Sequence, residues 1–164
     1  AIITSTADGG ASVIKHTRFS TYSSYAHLTQ LVGGGTLHHP NDPTTTPEMN
    51  MFSMNGPGVF KKAARLLKQF INDVLAAAEW TLDDVDIVIP HQASRHGIEL
   101  LTKQIGFPTE RVFTNLAIRG NCIAASIPLA MTEAVDAHKL IRGQRVFIVG
   151  TGAGLTLGGI ALVY

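Results

Sequence analysis

The chain has 164 residues, of which 45% are hydrophobic and only 15% are charged, and its net charge is +1. This length fits one domain or one half of a larger enzyme, and the composition excludes a disordered segment or a solvated linker. The near-neutral charge gives no reason to expect a nucleic-acid partner, and the single Cys excludes an internal disulfide framework.

The first third of the sequence predicts short strands around one long loop. The turn residues Asp8-Gly9-Gly10 precede a predicted strand at 12–15. A loose alternation of apolar residues predicts a second strand at 19–32. Residues 33–50 are rich in Gly, Pro, Thr and Asn, which is typical of a surface loop, and residues 51–54 are predicted to form a short strand.

Strands and helices alternate through the rest of the chain. Apolar residues recur every three or four positions at 58–79, the strongest helical period in the sequence, and Pro57 suits the first helical position. The remaining predictions are strands at 86–90, 111–115, 144–149 and 155–163, helices at 92–105 and 122–138, and a Gly-rich turn at 150–154. This alternation predicts a layered α/β fold.

No basic segment followed by an apolar run opens the chain, and no apolar stretch is long enough to span a membrane. We therefore expect a cytoplasmic protein that does not enter a membrane. The first residue is Ala rather than Met, and the low charge is typical of a piece of a larger body that keeps its interface residues. Such a piece should expose a contiguous apolar patch.

Two polar residues occupy places where enzymes often carry catalytic groups. His91 follows the apolar run at 86–90 and is expected to begin a helix, and ligands of open α/β sheets bind beyond the carboxyl ends of strands. A helix N-terminus would also keep the imidazole neutral. Asn121 is expected at the start of the next helix. Either residue also has an ordinary interpretation, as a satisfied core histidine and as a helix N-cap.

Three further features allow more than one interpretation. Cys122, with His91 and Asn121, is compatible with a Cys/His/Asn thiol hydrolase or with simple packing of a small side chain. The Gly-rich turn at 150–154 can present backbone N–H groups to an oxyanion or form a tight hairpin, and it is not a dinucleotide-binding fingerprint. The pair His38-His39 lacks partners at metal-ligand spacing, so we expect no metal site.

Basic side chains recur on the two predicted helices at 58–79 and 92–105. They either form a solvated face or receive an acidic partner or a phosphate group. These side chains are Lys61, Lys62, Arg65, Lys68, Arg95, His96 and Lys103.

Taken together, these segments resemble the C-terminal half of beta-ketoacyl-ACP synthase III. Three motifs carry the resemblance: Val88-Ile89-Pro90-His91-Gln92-Ala93, Arg119-Gly120-Asn121-Cys122-Ile123-Ala124-Ala125-Ser126-Ile127-Pro128, and Gly152-Ala153-Gly154-Leu155-Thr156. Asp8-Gly9-Gly10-Ala11 and the segment from Met54 to Lys61 add to it. The similarity covers nearly the whole chain, and the motifs occur in the order that the family shows.

The resemblance implies a fold and an activity. The fold is the C-terminal half of a thiolase-like α/β fold with a mixed five-stranded sheet and packed helices, and residues 1–15 would be the end of the N-terminal half. In the family, a Cys of the N-terminal half accepts an acyl group from acyl-CoA and condenses with malonyl-ACP. The matching His91 and Asn121 would donate hydrogen bonds to the malonyl thioester carbonyl and converge on one pocket.

The resemblance also implies roles for other residues. The N–H of Ala153 would serve the oxyanion hole, in a Gly-Ala-Gly turn where the family often has three Gly. Gly56 and Phe60 would line the pantetheine channel, and Lys61, Arg95 and Lys103 would contact the carrier protein. His96 stands where the family usually has Arg.

The expected partners are an acyl carrier protein, acyl-CoA, the N-terminal half of the same enzyme and a second copy in a homodimer. Acyl-CoA and the carrier's phosphopantetheine are substrates, so we expect no cofactor and no metal. Cys122 is not in a position that resembles the acyl-accepting motif, and the fragment alone should be inactive. The alternatives are a non-catalytic partner subunit of the same fold and the Cys122/His91 thiol hydrolase.

Overall fold

The computed structural model of the protein describes residues 12–164, so the turn predicted at Asp8-Gly9-Gly10 lies outside the described residues. The main sheet contains four strands in the order β1 (Val13–Thr21), β6 (Thr156–Val163), β5 (Arg145–Gly152) and β4 (Ile87–Pro90). Strand β4 runs parallel to β5, while β6 is antiparallel to both of its neighbours. The predicted mixed sheet of a layered α/β fold is confirmed.

The described sheet has four strands instead of the five expected. Where a strand was predicted at 111–115, the chain forms a 3-10 turn at Thr109–Arg111 and only an isolated parallel bridge between Val112 and Val88. The apolar run there is too short for a strand, since it ends after Phe113 and polar side chains follow. The fifth position beside β4 is therefore held by this short extended segment.

Helices cover both faces of the sheet. Helix α1 (Gly56–Ala77) begins behind Asn55, whose side chain accepts the N–H of Gly58, and it buries an apolar stripe on one face. A Cβ on Gly159 of β6 would lie 3.0 Å from Phe70, so the glycine allows the helix to approach the sheet closely. Helix α4 (Ser126–Asp136) packs Ala130 and Ala134 on the opposite face.

The strand predicted at 19–32 is wrong. Strand β1 continues to Thr21, a 3-10 helix follows at Ser23–Leu28, and only Thr29–Leu31 forms a strand, β2. The apolar residues Tyr22, Tyr25 and Leu28 are three apart, which is the period of a 3-10 helix. The predicted surface loop follows and includes a 3-10 turn at Pro47–Asn50. The short strand predicted at 51–54 is confirmed as β3 (Phe52–Met54), and β2 pairs with it.

The later helices begin further along the chain than predicted. Helix α2 (Arg95–Leu100), continued by a π turn at Leu101–Ile105, starts after Ser94, whose hydroxyl accepts the N–H of Gly97. A short helix, α3 (Leu116–Arg119), was not predicted. Residue Ile123 has a left-handed backbone with φ +51°, so the predicted helix at 122–138 divides into a 3-10 turn at Ile123–Ala125 and α4.

Three further expectations concern the whole chain. The domain boundary expected after residue 15 falls inside β1 and stays a prediction. Among residues 12–164, no helix combines the length and the apolarity needed to cross a bilayer. Large apolar side chains are exposed on β1, on the β2–β3 pair and on the neighbouring loop, and their union into the expected contiguous patch stays a prediction. They are Val13, Ile14, Phe19, Leu31, Val32, Leu37, Met51, Phe52 and Met54.

Candidate active site at the carboxyl end of the sheet

His91 is the first residue after strand β4, at the edge where the parallel strands β4 and β5 both end. Its backbone N–H donates to the carbonyl of Val149 at 2.7 Å, which extends the pairing between the strands by one residue. A Cβ on Gly150 would lie 3.3 Å from the His91 Cβ and 3.5 Å from Ile127. The imidazole-bearing segment, the end of β5 and the start of α4 therefore meet at one place.

The His91 side chain is half-buried, and this burial lowers the pKa of the imidazole below its ordinary value of 6.5. The sequence predicted a neutral ring because a helix was expected to begin at His91, and that reason is wrong. Residues between His91 and Ser94 are not helical, and α2 starts at Arg95. The ring is neutral at pH 7 because desolvation disfavours its charged form. A neutral imidazole carries one N–H that can donate a hydrogen bond.

Asn121 is exposed and follows helix α3 after Gly120. Gly120 has φ 68° and ψ −162°, a conformation that is almost restricted to glycine. The Asn121 Oδ1 accepts the backbone N–H of Ile123 at 2.9 Å. This bond satisfies the first N–H of the 3-10 turn, as a capping residue would, and it also orients the amide. The two N–H groups of Nδ2 remain to donate to another acceptor.

The hydrogen bonds of Cys122 do not involve His91. Its thiol donates to the carbonyl of Arg119 at 3.4 Å, and its backbone N–H donates to the hydroxyl of Ser126 at 3.1 Å. A thiol hydrolase needs the thiol within hydrogen-bond reach of its base. The thiol instead points back toward the end of α3, so its geometry is that of a packed side chain.

The turn between β5 and β6 carries Ala153. The two strands pair from Arg145 opposite Val163 to Gly152 opposite Thr156, so the Gly-rich segment is a hairpin connection. Ala153 is exposed, and it is not among the residues with positive φ. An alanine is therefore tolerated where a third glycine was expected, and the backbone at this position keeps its N–H. The role of that N–H stays a prediction.

Most of the residues predicted to line a channel and to contact a carrier protein lie at the N-terminal ends of α1 and α2, whereas Lys103 lies in the π turn that continues α2. Gly56 is the first residue of α1, and the ring of Phe60 meets the His96 ring edge-on at 6.4 Å between centroids. This contact brings the starts of the two helices together. Lys61, next to Phe60, is exposed.

The two predicted basic contacts on α2 share one carboxylate. Arg95 Nε lies 2.9 Å from one oxygen of Glu99, and Lys103 Nζ lies 3.2 Å from the other. Hydrogen bonds from Lys103 and Arg95 lower the pKa of the Glu99 carboxyl below its ordinary value. The exposed Arg95 and Lys103 thus flank the partly buried Glu99 along one side of α2 and the π turn that continues it.

Two open depressions on the described surface lie away from His91 and Asn121. One is bordered by Val135, Ile141 and Tyr164, and the other by Ile87, Glu110 and Lys139. The pocket predicted between His91 and Asn121 therefore stays a prediction. Residues 12–164 contain no group of three His, Cys, Asp or Glu side chains placed to hold a metal ion.

Sequence reasoning missed the polar side chains that hold the site segments. Gln92, Asn115 and Ser126 are the buried polar residues of the described chain, with relative exposures of 0%, 6% and 2%. Gln92 bonds to the carbonyl of Pro90, before His91, and Ser126 accepts the N–H of Cys122, after Asn121. Asn115 bonds to Gln92 through its backbone and to Glu133 of α4 through its side chain. Nothing in a single sequence distinguishes these residues from exposed polar ones, although Gln92 does stand inside the motif that contains His91.

A mixed sheet covered on both faces by helices, with polar residues gathered beyond the ends of two parallel strands, defines a thiolase-like α/β fold. The structure is similar to that of 3-oxoacyl-[acyl-carrier-protein] synthase III from Aquifex aeolicus VF5, with a TM-score of 0.80 and 32% identity over 96% of this chain and 46% of that chain. For the Thermus thermophilus synthase III the TM-score is 0.79 with 32% identity, over 92% and 46% of the two chains.

Residues 75–164, more than half of the chain, match the family described as 3-Oxoacyl-[acyl-carrier-protein (ACP)] synthase III C terminal, and the chain belongs to this family. A beta-ketoacyl-[acyl-carrier-protein] synthase III of Nitratidesulfovibrio vulgaris is 40% identical over 131 residues, which cover 80% of this chain and 40% of that protein. The Symbiobacterium thermophilum protein of the same name is 38% identical over 141 residues, 85% of this chain and 42% of its own. The chain thus spans less than half the length of these relatives.

Proposed function

We propose that this chain supplies the decarboxylation and condensation site of an acyltransferase that joins an acyl-CoA starter to malonyl-ACP and gives 3-oxoacyl-ACP, the initiating step of fatty acid synthesis. Membership of the synthase III family supports the reaction class. The observation that carries the assignment of the site is the pair of neutral donors. A half-buried neutral His91 and an oriented Asn121 amide stand on segments joined to one end of the sheet.

The chemistry needs neutral donors at this place. When the C–C bond to the malonyl carboxylate breaks, CO₂ leaves and its electron pair stays as an enolate, with charge on the thioester oxygen. Two hydrogen-bond donors aimed at this oxygen stabilise the charge as it develops. The enolate carbon then attacks the acyl thioester carbonyl, which forms the new C–C bond and releases the nucleophile's thiolate.

The acyl-accepting Cys is proposed to lie in the N-terminal half of the same enzyme, because Cys122 is turned toward Arg119. The N–H of Ala153 would then serve the oxyanion of the acyl-enzyme, from the hairpin next to His91. This chain alone would decarboxylate poorly and would not form an acyl-enzyme. The exposed apolar side chains on the β2–β3 pair support a surface that packs against the N-terminal half or a second copy in a homodimer.

Carrier-protein binding is proposed for the side where α1 and α2 begin. Lys61 and Arg95 are exposed there, and the exposed Lys103 follows in the π turn that continues α2. The contact between the Phe60 and His96 rings joins the starts of the two helices. An acidic carrier would have to compete with Glu99 for Arg95 and Lys103. We expect this contact to weaken as salt is added, because exposed ion pairs are screened.

The test compares two half-reactions in the complete enzyme. His91→Ala and Asn121→Ala should each slow CO₂ release from malonyl-ACP by about 10²–10³-fold, while acyl transfer from acyl-CoA to the enzyme stays near the original rate. His39→Ala and Asn41→Ala, at exposed loop positions, serve as matched controls. Unchanged CO₂ release in His91→Ala and Asn121→Ala would refute the site. A complete protein that accepts no acyl group would instead be a non-catalytic partner subunit.

A further inference from the structure

The buried polar residues of the described chain are concentrated around one site. Gln92, Asn115 and Ser126 are each less than a tenth exposed, and each stands beside the segments that carry His91 and Asn121. Burying a polar group is unfavourable unless all of its hydrogen bonds are made. The position of these three residues indicates a local requirement for fixed geometry that the rest of the core does not have.

The side-chain amide of Gln92 uses its full hydrogen-bonding capacity. Its Nε2 donates to the carbonyls of Pro90 and Phe113, at 2.9 and 3.4 Å. Its Oε1 accepts the Thr114 hydroxyl at 2.9 Å and the Asn115 N–H at 3.3 Å. An amide has two donor hydrogens and two acceptor lone pairs, so none is left over. If the amide group were rotated by 180°, its NH₂ group would face the Asn115 N–H, and two donors cannot form a hydrogen bond. The network therefore fixes the orientation of the Gln92 amide.

These bonds connect the two segments that carry the proposed donors. Gln92 is next to His91 in sequence, and its side chain crosses to the chain that enters helix α3, which leads to Gly120 and Asn121. The neighbouring strands alone do not provide this connection, since Val112 makes only an isolated bridge with Val88.

A second set of bonds continues the connection to Asn121. The Asn115 Nδ2 donates to one oxygen of Glu133 at 2.7 Å, and the Arg119 Nε donates to the other at 2.6 Å. Glu133 belongs to α4 and thus holds α3 at both ends. Hydrogen bonds from Asn115 and Arg119 lower the pKa of the Glu133 carboxyl, so it stays charged. Beyond Asn121, the Cys122 N–H donates to Ser126 on the same helix.

We infer that Gln92 is a positioning residue that sets the separation of His91 and Asn121 by tying the end of β4 to the entry of α3. The inference rests on the proposed function, since it assumes that both side chains donate to one enolate oxygen. Donor placement matters for such a site, because a misplacement of about 1 Å costs about 10²-fold in rate. Gln92 itself does not touch the substrate.

The experiment measures CO₂ release from malonyl-ACP by the complete enzyme carrying Gln92→Met, which keeps the side-chain length and removes all four bonds. We expect kcat to fall by about 10–10²-fold while KM changes little, since the bonds affect a contact made in the transition state. Gln104→Met, at an exposed position on the π turn, is the matched control and should keep the original kcat. Thr114→Val removes one of the four bonds of Gln92, together with a longer bond from the Leu116 N–H to the Thr114 hydroxyl, and should lower kcat in the same direction by a smaller factor.

The decisive measurement repeats Gln92→Met in the Asn121→Ala background. A positioning role predicts little further loss, because the donor whose place Gln92 sets is already absent, whereas a general structural defect would multiply with the first loss. Equal factors in both backgrounds, or an unchanged kcat for Gln92→Met, would overturn the inference. His91→Ala and Asn121→Ala are measured alongside: if they slow CO₂ release and Gln92→Met does not, the proposed function stands and only the positioning role is wrong.

Discussion

The left-handed backbone at Ile123 should cost stability that a single substitution recovers. Ile123 has φ +51°, where a β-branched side chain crowds the backbone, and its side chain is 78% exposed. An L-residue in this region pays roughly 1–2 kcal/mol, whereas Asn visits it readily because its short polar side chain bonds locally. Little apolar burial is lost on replacing so exposed a side chain. Ile123→Asn should therefore raise the free energy of unfolding by about 1–2 kcal/mol.

Differential scanning calorimetry of the 164-residue chain gives the measurement. For a domain of this size each kcal/mol shifts Tm by about 2–4 °C, so Ile123→Asn should raise Tm by roughly 2–8 °C. Ile118→Asn is the matched control: Ile118 is 81% exposed, lies in helix α3 and is not among the residues with positive φ. Its effect should stay within about 0.5 kcal/mol. Equal Tm values for the two variants would refute the reasoning, because they would show that the backbone of Ile123 stores no strain.

Three other predictions concern the same segments. In an NMR titration His91 should show a pKa below 6.5. The free energy of unfolding should then fall as the pH drops below 6.5, because the imidazole of the unfolded chain takes up a proton at a higher pH than that of the folded chain. A measured pKa above 6.5 would contradict this. Gly120 has φ 68° and no atoms close to where a Cβ would stand, so Gly120→Ala tests the backbone conformation alone and should lower the free energy of unfolding by about 1–3 kcal/mol in urea denaturation. Gly35 also lies in open space but has no positive φ, and Gly35→Ala should change this free energy little. In the complete enzyme Cys122→Ser should keep both acyl loading and CO₂ release, since a hydroxyl can still donate to the carbonyl that the thiol contacts; a loss of more than about tenfold would restore the hydrolase alternative.

Local periodicity predicted the parts of this fold that depend on local patterns. The long apolar stripe gave helix α1 nearly to its observed ends, and the buried run before His91 gave strand β4. His91 was placed correctly at the carboxyl end of a strand, because it directly follows the apolar run that forms this strand.

The misplaced elements depend on contacts that sequence periodicity does not contain. The helix predicted from residue 92 starts at Arg95, since the amide of Gln92 bonds to residues more than twenty positions away. The strand predicted after Arg111 is stopped where Asn115 turns toward Glu133 on another helix. A single sequence does not show which polar side chains will find distant partners. The predicted roles of His91 and Asn121 came from family resemblance, and the structure adds the bonds that orient their segments.

The order of strands in the main sheet has a consequence for how the chain folds during synthesis. Strand β6 lies between β1 and β5, and Val13 pairs with Val163. The partner of β1 therefore leaves the ribosome after the other strands of this sheet, and until then the edge of β1 has no native neighbour in this sheet. Pairing between strands so far apart in sequence is slow, because the entropic cost of closing a long loop arises before any contact between the strands offsets it. During synthesis, the nascent chain would have to keep the unpaired edge of β1 from aggregating until β6 emerges.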